Sequence, residues 1–152
     1  MSRVKHLLAT KGSEVVSLPA DATVLHAARC MNERGIGGVV VTEGDHMVGM
    51  FTERDILRRI VAAQREPEDT TLDEVMTSPV ASCRPETTID ECVAVMTERR
   101  IRHLPVVDDQ GVCGIVTSGD ILAHRVAEHE DTIRYLNSYL FDVPAWSSPP
   151  AA

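Results

Sequence analysis

The chain has 152 residues, 43% of them hydrophobic and 25% charged, a mix that supports a buried core and excludes general disorder. Acidic residues outnumber basic ones 23 to 15, a net charge of −8, which argues against generic binding to nucleic acid or to an anionic membrane. Any anion the chain holds must be held by a local device. Residues 1–10 lack the long apolar stretch of a secretory signal, and no apolar run reaches membrane-spanning length, so a cytoplasmic location is expected. A short apolar strand is expected at 14–18, running into Pro19. Val24, Ala27, Ala28 and Met31 then repeat at helical spacing, one buried face of a helix. Two apolar runs, 39–42 and 47–51, flank a polar turn and read as a hairpin. A second helix begins at Thr52, and a polar, acidic linker follows at 65–71.

The same order then recurs. A strand at 80–83 runs into Pro85. A helix follows with Ile89, Cys92, Val93 and Met96 on one face, opened by the capping box of Thr88 and Glu91. A hairpin spans 104–107 and 112–116, and a helix begins at Thr117. That last helix is expected to run from 118 to about 139. Leu122, Val126, His129, Ile133, Leu136 and Leu140 form a heptad seam along it. The tail 144–152, rich in Pro, Ser and Ala around Trp146, is read as flexible.

The recurrence is a true repeat. At an offset of 65, residues 31–57 align with 96–122 without a gap, and ten of the 27 positions are identical. The expected fold is α+β. Two β-α-β-β-α repeats pack sheet to sheet with pseudo-two-fold symmetry, because one small sheet leaves an apolar face uncovered, and a long C-terminal helix is added. The expected units are 1–65, 66–126, a helical extension 127–143 and the tail 144–152.

Few residues point to catalysis. Cys30, Cys83, Cys92 and Cys113 form no Cys-x-x-Cys pair and sit among apolar neighbours, as reduced buried thiols do. The six histidines show no metal-binding spacing. No nucleophile–base pair or phosphate-transfer motif is legible, so no enzyme activity, required cofactor or metal is expected. What stands out is Gly-h-h-Thr-x-x-Asp (h, apolar), present once per repeat at a strand-to-helix junction, with Thr52 and Asp55, then Thr117 and Asp120. Such a pair caps a helix without needing any ligand. The same geometry offers unpaired N–H groups to a phosphate and a carboxylate to the vicinal hydroxyls of a ribose.

The combination resembles a tandem pair of CBS (cystathionine β-synthase) domains. Its carriers are Met31-Asn32-Glu33-Arg34-Gly35-Ile36 with 49–57, and 96–108 with 114–122. Val40 departs from the family pattern, where a proline is usual, as Pro105 is in the second repeat. The resemblance implies a non-enzymatic regulatory module that senses an adenosine ligand. AMP leads, with ADP, ATP, NAD(H) and S-adenosylmethionine as further choices. It implies one site of Thr52, Asp55, Thr77, Val80, Ala81, Ile101, Arg102 and His103. It implies a second of Thr117, Asp120, Lys11, Val15, Val16, Ile36, Gly37 and Gly38. Thr would meet phosphate or ribose, Asp the ribose hydroxyls, and the apolar groups the adenine. Arg102 and His103 stand where the first repeat has two glycines, so their site is expected to favour the more highly charged ligand end. A homodimer and a regulated partner protein are expected, with neither nucleic acid nor membrane as a partner. The alternative is a ligand-free dimerisation or interaction scaffold whose Thr-x-x-Asp boxes are only caps.

Overall fold

The computed structural model describes residues 1–141, so Trp146 and the tail 144–152 lie outside the described residues. In chain order it contains α1 (Val4–Lys11), β1 (Ser17–Pro19), α2 (Val24–Arg34), β2 (Gly38–Glu43) and β3 (His46–Thr52). A single turn, α3 (Glu53–Asp55), continues into a π-wound segment, Ile56–Val61. Next come α4 (Leu72–Val75), α5 (Ile89–Arg99), β4 (His103–Asp108), β5 (Gly111–Thr117), α6 (Ser118–Glu128) and α7 (Glu130–Phe141).

The two repeats fold alike. The hairpins β2–β3 and β4–β5 each carry a bulge at corresponding positions, between Val41 and Thr42 and between Val106 and Val107. The faces predicted for α2 and α5 are the ones buried. Val24, Ala27 and Met31 point into one core, and Ile89, Cys92 and Met96 into the other, with Ala28 and Val93 half-buried beside them. Thr88 and Glu91 form the expected box: Thr88 N–H donates to Glu91 Oε2 at 2.8 Å, and Glu91 N–H donates to Thr88 Oγ1 at 3.2 Å. Between the sheets, Val40, Met50 and Ile115 make a small third core with Val15, Met47, Val80 and Val112 packed on it. That is the sheet-to-sheet contact expected of two half-covered sheets. The four cysteines are free thiols; Cys83 and Cys92 are buried.

Three expectations need correction. The strand expected at 80–83 is reduced to Cys83, whose N–H donates to the Pro105 carbonyl at 3.0 Å and whose carbonyl accepts from Val107 N–H at 2.8 Å. Pro79 and Pro85 remove N–H donors on either side, so no longer ladder forms. The strand expected at 14–18 begins only at Ser17 and includes Pro19. The helix expected over 118–139 is two helices. His129 leaves helical geometry at φ −111° and ψ 13°, and its N–H is shared between the carbonyls of Arg125 and Val126. The second helix starts from the same residue, because Ile133 N–H donates to the His129 carbonyl at 2.8 Å.

Two helices went unpredicted, and both cross between the repeats. Helix α1 places Val4 and Leu7 in the core of the second repeat, beside Ile89, Met96 and Leu104. Helix α4 places Leu72 and Val75 in the core of the first, beside Val24, Met31 and Phe51. Backbone bonds tie both down: Ile89 N–H to the Ser2 carbonyl, and Leu72 N–H to the Ala22 carbonyl. Glycines make room for them. A Cβ at Gly114 would lie 2.9 Å from Leu8 Cδ1. One at Gly49 would meet Met76 Sδ and lie 3.0 Å from the Thr77 carbonyl oxygen. The spatial halves therefore differ at their edges from the halves written in the sequence.

Candidate functional site

Each hairpin ends in a threonine that starts a helix, and each of these junctions faces a cavity. In the first, Thr52 N–H donates to Asp55 Oδ2 at 3.0 Å. Asp55 is only 5% exposed, and its other oxygen accepts from Thr77 Oγ1 at 3.0 Å. Arg59 Nε lies 3.7 Å from the same oxygen. In the second, Thr117 N–H donates to Asp120 Oδ2 at 2.9 Å, and Asp120 N–H donates back to Thr117 Oγ1 at 3.1 Å. The place of Thr77 is taken there by Lys11, whose Nζ donates to Asp120 Oδ2 at 2.6 Å and to the Ile115 carbonyl at 2.7 Å. Burial pushes the Asp120 carboxyl up, but the hydrogen bonds from Lys11 and Thr117 outweigh it and hold the group below the usual range.

The larger cavity has a volume of about 620 Å³, within the range of small-molecule sites. It brings together all eight residues expected of the first site: Thr52, Asp55, Thr77, Val80, Ala81, Ile101, Arg102 and His103. The smaller, of about 430 Å³, gathers Lys11, Val16, Ile36, Gly37, Gly38, Thr117 and Asp120. Val15, expected with them, packs instead into the core between the sheets. The capping boxes thus open onto clefts whose opposite walls come from the other repeat.

Two features bear on the charge of these cavities. Arg102 and His103 border both cavities rather than one, as do Gly37 and Glu53. The Gly37 backbone lies between two of these side chains: a Cβ there would be 3.3 Å from both Glu53 Oε2 and His103 Cε1. Burial lowers the His103 imidazole below its ordinary value, opposed by the carboxylates of Glu53 and Asp120. The second feature is Arg54, Arg58, Arg59 and Arg99, which all line the larger cavity. From the sequence, Arg99, Arg100 and Arg102 read as an anion-binding group rather than only a solvated helix end, and Arg54, Arg58 and Arg59 chiefly as an exposed helix face. Among the described residues, no group of three or more His, Cys, Asp or Glu could hold a metal, and no helix is long and apolar enough to cross a membrane.

The comparisons with known proteins agree with this architecture. The chain is 35% identical over 125 residues to the mitochondrial CBS domain-containing protein CBSX3 of Arabidopsis thaliana. The match takes in 79% of this chain but only 61% of that relative's length. The crystal structure of the CBS domain NE2398 is 38% identical, with a TM-score of 0.79 over 82% of this chain and 98% of the other. The CBS domain pair of protein MJ0100, solved with 5′-methylthioadenosine and S-adenosyl-L-methionine, is 26% identical, with a TM-score of 0.73 over 84% of this chain and 98% of the other. A family model described as the CBS domain matches twice, at residues 4–62 and 72–127. With two matched repeats, two crossed helices and paired sheets, the chain belongs to the CBS domain family as a tandem CBS pair.

Proposed function

We propose that the chain is a non-enzymatic regulatory module that binds an adenosine-containing nucleotide between its repeats and conveys that state to a partner protein. The observation that carries this reading is the duplicated Thr-x-x-Asp, set in each repeat on a cavity walled by an apolar segment of the other. An apolar slot for a flat ring, with a few polar groups fixing its ends, suits a nucleoside. The adenosine ligands of the MJ0100 pair support the same chemistry. AMP, ADP, ATP, NAD(H) and S-adenosylmethionine share that moiety. The alternative, a ligand-free scaffold, draws on one observation: Thr77 and Lys11 already satisfy Asp55 and Asp120. A thermal-shift panel of these five ligands separates the two. A ligand present at about a hundred times its Kd adds about 2.7 kcal/mol of apparent stability, a shift of several degrees. No shift with any of them would leave the scaffold.

The module is further proposed to act as a homodimer. Leu57 and Val61 of the first repeat are 63% and 64% exposed. At an offset of 65 they correspond to Leu122 and Val126 of the second, also exposed. On α7, Ile133, Leu136 and Leu140 are exposed as well. Apolar strips of this kind favour burial, and a second copy offers the self-complementary surface of a two-fold. Truncation after His129 is expected to weaken the dimer while leaving both repeats folded. Light scattering that finds the truncated chain equally dimeric at equal dilution would remove α7 from the interface.

A further inference from the structure

The two cavities differ in charge as well as in volume. Arg54, Arg58, Arg59, Arg99 and Arg102 border the larger one, against the carboxylates of Glu53 and Asp55. In a chain of net charge −8, this is a concentrated pocket of positive potential. Arg59 is committed to the protein. It faces Asp55, and its Nη1 donates to the carbonyls of Val75 and Met76 at 3.1 and 2.6 Å. The side chains of the other four make no hydrogen bond or ion pair with the described residues. They converge from two directions: Arg54 and Arg58 from the helix after β3, Arg99 and Arg102 from the end of α5 and the approach to β4.

The smaller cavity is built differently. Its cations are Lys11, which is bound to Asp120, and the shared Arg102. Glu14 and Glu53 face the same space, and the ion-pair partner of Glu14, Arg34, does not line it. This cavity has no uncommitted cation of its own among the described residues.

Four unpaired guanidinium groups exceed what adenine, ribose or a single phosphate can use. Guanidinium forks match phosphate oxygens two at a time, and like charges gathered without an anion repel one another. We infer that the larger cavity selects a nucleotide bearing a chain of three or more phosphates, whereas the smaller accepts an uncharged nucleoside and disfavours such a chain. The inference rests on the adenosine-binding reading above and assigns Arg54, Arg58 and Arg99 as the residues that count phosphates.

Calorimetry with ATP, AMP and adenosine tests it on the full chain and on an Arg58→Ala/Arg99→Ala variant, whose exposed side chains can be removed without opening a core. ATP is expected at one site per chain, on the order of tenfold or more tighter than AMP at low salt, with the advantage shrinking as salt screens the arginines. The variant is expected to lose that advantage and keep its affinity for adenosine. Inorganic tripolyphosphate should compete with ATP on the full chain and not on the variant. Equal affinities for ATP and AMP, or an ATP preference that survives in the variant, would overturn the phosphate-chain assignment while adenosine binding still stood. Absence of binding by all three nucleoside ligands would remove the adenosine reading and this inference together.

Discussion

Leu7→Ala is expected to destabilise the second repeat, and Leu72→Ala the first, each by about 2–5 kcal/mol. Both side chains are essentially inaccessible, at 2% and 0% exposure, and each lies in the core opposite to its place in the sequence. A loss of this size is a large fraction of the stability of a domain. Hydrogen exchange read by peptide distinguishes this arrangement from the simpler one. Leu7→Ala should lower protection first in α5, β4 and β5, and Leu72→Ala first in α2, β2 and β3. Protection lost from β2 and β3 on shortening Leu7 would contradict the crossed packing.

Replacing Asp55 and Asp120 together by Ala is expected to abolish binding of adenosine ligands. Both carboxylates line the cavities, and on the proposed reading their removal takes away the acceptors for ribose hydroxyls. The structural costs are unequal. Asp120 closes a capping box, worth about 1 kcal/mol, and holds the part-exposed Lys11 in an ion pair worth about 0.2–1 kcal/mol more. Asp55 is more than a cap, because its loss leaves Thr77 Oγ1 and Thr52 N–H without their buried acceptor, at about 1–3 kcal/mol. The double Asp→Asn variant, which keeps an acceptor oxygen at each position, is the folded control. Unchanged affinity for AMP in the folded Ala variant would separate these carboxylates from the ribose.

The parts of the fold written by local periodicity were legible, and the parts that make sense only against the other repeat were not. The buried faces of α2 and α5, both hairpins and both Thr-x-x-Asp junctions follow from periodicity and from a 65-residue offset that needs no gap. Helices α1 and α4 were missed because each is short, and its apolar residues make sense only against the other repeat's core. The pause at His129 was invisible because the heptad seam runs through it unchanged. At the site, the Thr and Asp of both motifs line the cavities. The arginines of 54–59 read as a solvated helix face, since nothing in one sequence says that Arg99 and Arg102 arrive opposite them. Val15 was expected from the family resemblance; Val80, 65 residues on, reaches both the inter-sheet core and a cavity, whereas Val15 reaches only the core.

Arg102 and His103, with Gly37 and Glu53, form a party wall between the two cavities. Linkage gives that wall a consequence that neither cavity has alone. An occupant that draws on Arg102 from one side changes the affinity of the other side, and by thermodynamic necessity the second occupant changes the first by the same factor. Two solutes that meet across a single side chain cannot be read independently. If both sides draw on the one guanidinium, a rise in one occupant would loosen the hold on the other, and the occupancy of each cavity would depend on both.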